Sequence, residues 1–202
     1  MSKRFLGPTI LSVLRDSLKD CTRCRLSSSR TRIVFGEGAP SASLFFIGEA
    51  PGAEEDRTGR PFIGRAGELL TKIIEAIKLS RDNVYISSVI KCRPPGNRNP
   101  EQDEINTCKP FLLQQIQAIR PSIICTLGSV ATNTILGNNE PISKSRGKFH
   151  HFHGIYVMPT FHPAYLLRNQ KDKKLVWEDM LKIQALYQKL GLFDKDHDSR
   201  QS

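Results

Sequence analysis

Four cysteines carry the most distinctive chemistry in this 202-residue chain. Cys21 and Cys24 form a C-x2-C pair, and Cys92 and Cys108 follow as C-x15-C. A C-x2-C turn brings two sulfurs to one ion or cluster, and four thiolates complete a tetrahedral site. The two pairs lie far apart in the chain, so a centre built from them would staple distant segments together. Spacing by itself leaves three arrangements open: a metal or iron–sulfur centre, two disulfides, or unrelated buried thiols. The fifth cysteine, Cys125, sits in the apolar run SIICTLG and reads as a small buried hydrophobe of a core strand.

Three loops hold the other reactive residues. The first, GEAPGAEEDRTGRPFIGRAG from Gly48 to Gly67, is rich in glycine and proline, which lets the backbone bend sharply and approach a ligand. It contains neither GxxxxGK[ST] nor GxGxxG, which excludes the usual phosphate-cradle and dinucleotide signatures. Its carboxylates Glu49, Glu54, Glu55 and Asp56 would repel a phosphate and suit a site that develops positive charge. Phe62 either belongs to the core or presents a ring face for stacking. The second loop, KCRPPGNRNP (91–100), starts at Cys92 and places Lys91, Arg93 and Arg98 where a phosphate backbone would want cations. The third, PTFHPAYLLRN (159–169), sets His162 at a strand end and follows it with Tyr165, Leu166, Leu167 and Arg168. A lone histidine is more often structural than chemical. His150, His151 and His153 alternate in FHHFHG and are explained by a strand with one wet face. Thirty Lys and Arg against twenty Asp and Glu give a net charge of +10, which favours a polyanionic partner, nucleic acid first. Beside such a partner, Leu166 and Leu167 resemble a wedge into a base stack.

The elements that must position these loops follow from periodicity. SLFFIG (43–48), VYISSVIKC (84–92) and SIICTLG (122–128) read as buried strands, and two more strands flank the His-Gly turn of FHHFHGIYVMPTFHP. Leu69, Leu70, Ile73, Ile74 and Ile77 predict a helix over 65–79; 100–119, 129–136 and 173–190 are further helices. Alternating strands and helices predict an α/β sandwich with a mostly parallel sheet, whose sites form outside the carboxyl ends of the strands. One domain over residues 1–192 is expected, with a frayed end over 193–202. The N-terminal residues show no signal-peptide pattern, and no run of about 18 apolar residues is present to span a membrane. The odd cysteine count fits a reducing compartment, so the cytoplasm is expected.

GEAPGAEEDRTGRPFIGRAG, YISSVIKCRPP, CTLG and FHPAYLLRN, in this order and with these four cysteines, resemble the family 4 uracil-DNA glycosylases from about Cys21 to the last helix. The resemblance implies a three-layer α/β/α sandwich around a mostly parallel four-stranded sheet, and hydrolysis of the N-glycosidic bond of deoxyuridine in DNA. It implies one structural 4Fe–4S cluster held by Cys21, Cys24, Cys92 and Cys108. It implies that Phe62 stacks on the flipped uracil, that backbone at Gly48 contacts the base, and that Glu49 influences thymine exclusion. Glu55 would be the catalytic acidic residue and His162 would reach uracil O2. Arg93, Arg98, Leu166, Leu167 and Arg168 would meet the DNA, single- or double-stranded, and a monomer is expected.

One position departs from the family, which commonly reads N-V-V-K-C where this chain has Ser88-Val89-Ile90-Lys91-Cys92. An Asn amide donates to uracil O4 and accepts from N3–H together, rejecting cytosine's reversed pattern; a serine hydroxyl enforces that code less well. Relaxed specificity for other deaminated bases is therefore a second reading. A non-catalytic Fe–S DNA-binding or redox protein and a zinc-stapled nucleic-acid-binding module are rivals of a different class.

Overall fold

The computed structural model describes residues 6–193. Six strands form one sheet in the order β1-β3-β2-β4-β6-β5: β1 Glu37–Gly38, β2 Leu44–Gly48, β3 Tyr85–Ser88, β4 Ile123–Leu127, β5 His150–Phe152 and β6 Ile155–Thr160. The inner four run parallel, Phe45 facing Tyr85 on one side and Ile124 on the other, with Ile124 in turn opposite Val157. These are the four parallel strands expected. The sheet is wider than the four strands the resemblance implies because an antiparallel strand is added at each edge, β5 being one of the two strands read around the His-Gly turn and β1 the one not read. β5 folds back on β6 through His153 and Gly154, both at positive φ, whereas β1 is two residues long and leaves no period to read.

The described helices are α1 Leu6–Leu18, α2 Ala53–Thr58, α3 Arg65–Ala76, α4 Gln102–Ile119, α5 Ser129–Leu136, α6 Ile142–Ser145, α7 Pro163–Arg168 and α8 Lys173–Lys189. They cover both faces, which is why the central strands are continuously apolar. Along β2, Phe45 and Ile47 join the core that includes Leu11 and Leu14 of α1 and Leu112 and Ile116 of α4. Leu44 and Phe46 point the other way, onto the core of Leu70 and Ile74 of α3 and Met180 and Ile183 of α8. Alternate side chains serve opposite cores, as the pleat requires. Phe193 packs edge-on against Tyr187, 4.8 Å between ring centroids, while the rest of the expected frayed end lies outside the described residues.

Two departures from the sequence reading shape the site. The first loop is not all loop: α2 rises inside it, capped by the Glu55 side chain on the Gly52 amide at 3.1 Å. The strand expected over 84–92 ends at Ser88, where the chain bends so that Cys92 leaves the sheet for the neighbourhood of the other cysteines. Because β3 lies on one side of β2 and β4 on the other, the strand order reverses between β2 and β4 while the strands stay parallel. The carboxyl ends there open a crevice of the kind in which α/β sheets bind ligands.

Candidate active site

The crevice holds a cavity of about 490 Å³ lined by all three loops, with Gly52, Glu55, Phe62, Ser88, Arg98 and His162 among its walls. Phe62 is 7% exposed and adopts φ +52°, a left-handed backbone that phenylalanine seldom takes. Its ring lies against Gly48 at the end of β2. A Cβ at Gly48 would stand 2.6 Å from Phe62 Cε2, so only glycine lets ring and backbone meet there. Ser88, the register partner of Gly48, lies beside them and is buried. Its hydroxyl makes no hydrogen bond to the described residues, although the Ser88 carbonyl accepts from Lys91 Nζ at 2.6 Å.

His162 caps α7. Its Nδ1 accepts the Ala164 amide at 3.1 Å, so the imidazole proton sits on Nε2 and is available to the cavity. Burial lowers its pKa to about 4, opposed by the charge of Glu55, and the ring is neutral at physiological pH. The Phe62 and His162 rings lie 5.7 Å apart, tilted by 34°. An aromatic face and a neutral N–H donor thus address one space.

The four loop carboxylates have separated. Glu54 pairs with Arg57 at 2.8 Å on the surface, and buried Asp56 accepts the Thr31 amide at 2.9 Å. Glu55 accepts the Ile63 and Gly64 amides at 2.9 and 3.0 Å besides capping α2. Glu49 alone of the four lines the cavity with no hydrogen bond to a described residue, and burial raises its pKa.

On the far side of the Ser88 strand end, Cys21, Cys24, Cys92 and Cys108 surround a second, small cavity with Leu18, Ile33 and Phe111. None of the five cysteines is in a disulfide, and Cys125 is buried in the core on the other face of the sheet. Among the described residues no three His, Cys, Asp or Glu gather closely enough to hold a single metal ion. Arg30 Nη1 reaches Cys92 Sγ at 3.6 Å, and burial pushes the Cys92 thiol up to about 11. Lys91 is not the exposed loop cation expected. It is 1% exposed, lowered to about 8 by burial, and donates to Ser87 Oγ, Ser88 O and Gln115 Oε1 at 2.6–2.7 Å.

Other placements are also corrected. Leu166 is 1% exposed within the α3/α8 core, so it is no wedge; the adjacent Leu167 is half-buried at the surface. Arg98 lines the cavity, but its guanidinium is taken by Glu104 at 2.6 and 2.9 Å, and this holds Glu104 down to about 2. Arg93 bonds Asn97 at 2.7 Å, and exposed Arg168 lines the cavity with no ion pair among the described residues. Tyr165, read in the sequence with the apolar residues after His162, and Asn97, which the sequence reading did not single out, also form the wall. Tyr165 is fixed there by a 2.7 Å hydrogen bond to Asp172.

An α/β sheet of this topology with an aromatic platform and a neutral histidine at its switch point defines the class of protein. The chain belongs to the Uracil DNA glycosylase superfamily, whose profile matches residues 35–181. It is 46% identical over 185 residues to the Type-4 uracil-DNA glycosylase of Sulfurisphaera tokodaii, covering 87% of this chain and 84% of that protein. The Type-4 uracil-DNA glycosylase of Thermotoga maritima is 43% identical over 186 residues, covering 90% and 97% respectively. That of Saccharolobus solfataricus is 45% identical over 182 residues, covering 86% and 84%. No described helix is long and apolar enough to cross a membrane.

Proposed function

We propose that this chain excises uracil from DNA by hydrolysing the N-glycosidic bond of deoxyuridine, leaving an abasic site for repair. The observation that carries the reading is the pairing of the Phe62 ring and the Nε2–H of neutral His162 on one cavity. A base inside a duplex is out of reach, so it must be extruded and held in a pocket. Phe62 supplies a face for the flipped base. Breaking the bond leaves an oxocarbenium-like sugar and a uracil anion, and the two charges need opposite partners. His162 donates to the oxygen on which negative charge grows, and as a neutral donor it is suited to that task. Glu55 keeps a carboxylate in the wall near His162, where it favours the cationic sugar. Its three backbone hydrogen bonds fix its position before substrate arrives. Glu49 and Ser88 face the base edge. Arg93, Arg168 and Leu167 are the loop residues left to meet phosphates and bases, since Arg98 and Leu166 are committed within the fold.

Cys21, Cys24, Cys92 and Cys108 would hold one 4Fe–4S cluster. When bound it would supply thiolate–iron bonds that join the end of α1, the segment after β3 and α4. Buried Lys91 and the nearby Arg30 place positive charge beside its ligands, as an anionic cluster requires.

Incubation with single- and double-stranded oligonucleotides carrying one uracil tests the function. Free uracil and an alkali-labile site are expected; iron-replete protein that binds these strands and releases nothing would leave the non-catalytic reading. The Ser88 hydroxyl, which lines the cavity with no hydrogen bond to a described residue, supports broader lesion use as a second reading, read in the same assay with hypoxanthine and xanthine.

A further inference from the structure

Phe62 carries the stacking role proposed above from a backbone conformation that does not hold itself. The contacts show what holds it. On the amide side, Glu55 takes the N–H groups of Ile63 and Gly64. On the carbonyl side, Arg81, in the turn between α3 and β3, donates from Nη2 to Pro61 O at 2.7 Å and from Nη1 to Phe62 O at 3.0 Å. Among the described residues no other group donates to those two carbonyls. The guanidinium is itself fixed by Glu37 of β1 at 2.6 Å and by Thr71 Oγ1 at 3.2 Å. A Cβ on Gly67 in α3 would collide with the Phe62 carbonyl, so the helix leaves room for this arrangement. Arg81 is mostly buried, 18% exposed, and is not part of the cavity wall.

We infer that Arg81, anchored by Glu37, is a positioning residue for base capture: its planar fork grips the Pro61 and Phe62 carbonyls and so aims the Phe62 ring across Gly48 toward His162. The inference rests on the proposed function, because the ring matters only if it receives a base. Lysine cannot replace the fork. Its single ammonium can keep the charge beside Glu37 but cannot span two carbonyls and a carboxylate in one plane. A residue that merely stapled β1 to the loop would act on stability alone, whereas a positioning residue acts on capture of the flipped base.

The test uses the iron-loaded full chain and an oligonucleotide with 2-aminopurine beside uracil, whose fluorescence reports base extrusion. Arg81→Lys is expected to lower single-turnover uracil release by about 10-fold or more and to weaken the extrusion signal in proportion. Binding to undamaged DNA should be unchanged. Arg60→Ala removes the other Glu37 ion pair (2.9 Å) without touching either carbonyl, and should release uracil at the wild-type rate. Arg81→Lys that melts earlier yet keeps the wild-type rate and signal overturns the inference. Should that variant fail to fold, Glu37→Gln decides: it loosens the anchor, and an unchanged rate and signal would again overturn it. Wild-type protein that releases no uracil under these conditions sinks the functional reading instead, so the two failures are distinct.

Discussion

His162 is kept neutral by where it is buried, and that has consequences in both catalysis and stability. With its pKa lowered to about 4, it does not change protonation across the neutral range. Uracil release by His162→Ala should therefore fall by roughly 100-fold, about 2.7 kcal/mol, and do so in parallel with wild type from about pH 6 to 9. Profiles that converge at one end would mean that its protonation, not its N–H, is what matters. In the unfolded chain the imidazole returns to about 6.5 and takes up its proton first. Its contribution to stability is therefore complete above about pH 6.5 and declines as pH falls through the window down to about 4. Denaturant unfolding of His162→Gln should lack that part of the pH dependence. Ser88 offers a second residue-scale test. Ser88→Asn restores a donor and an acceptor together, so single-turnover uracil release should rise and the spread between uracil, hypoxanthine and xanthine should widen. A uniform fall for all three lesions would show that the amide clashes and that this pocket reads its base by another route.

At the scale of elements, the site is made where strands stop. The end of β2 is only usable as a pocket floor because Gly48 leaves space for the Phe62 ring. Gly48→Ala should push that ring away and cost capture of the base about 1–3 kcal/mol, the usual worth of base–aromatic stacking. In a Phe62→Ala background the same substitution should cost little, since the atoms it would strike are gone. Additive losses in single-turnover kinetics would mean that Gly48 acts through something other than the ring. The inner strands and the helices α3, α4 and α8 were legible in the sequence because continuous apolar runs and 3.6-residue periodicity report burial directly, whereas α1 and the short β1 were not read. The loops that line the cavity were legible because their motifs run on from strand ends. What stayed hidden was the fate of neighbouring residues of one type. Glu54, Glu55 and Asp56 share one helical turn and project in different directions, and the partners of Asp56 lie 24–25 residues away. Leu166 and Leu167 differ only in which side of α7 they occupy. Lys91 and Arg98 looked like a phosphate-binding pair until folding brought Gln115 and Glu104 to them. Arg81 carried no local signal because its acceptors come from three separate segments.

For the whole molecule, the four cysteines lie where the α1 side of the fold meets the rest. Cys21 and Cys24 follow α1, Cys92 follows the β3 strand end and Cys108 lies within α4. The apolar core beneath them, with Leu18 and Phe111, already draws these segments together. The chain is nevertheless strongly cationic, at +10, and Arg23, Arg30 and Lys91 line the same cavity as the four cysteines. An anionic cluster at that point would offset charge repulsion as well as bridge segments, so its loss should be felt globally. Purified anaerobically, the protein should be brown and carry about four irons per chain. Cys108→Ala should lose iron and lower the melting temperature together, while uracil release falls in step with the iron. Cys125→Ala is the matched control, since that thiol is fully buried on the opposite face of the sheet. It should keep its iron and its colour and pay only for a small cavity, on the order of 1 kcal/mol. Bleaching by Cys125→Ala, or full iron retention by Cys108→Ala, would show that the four thiols around this cavity are not the ligand set.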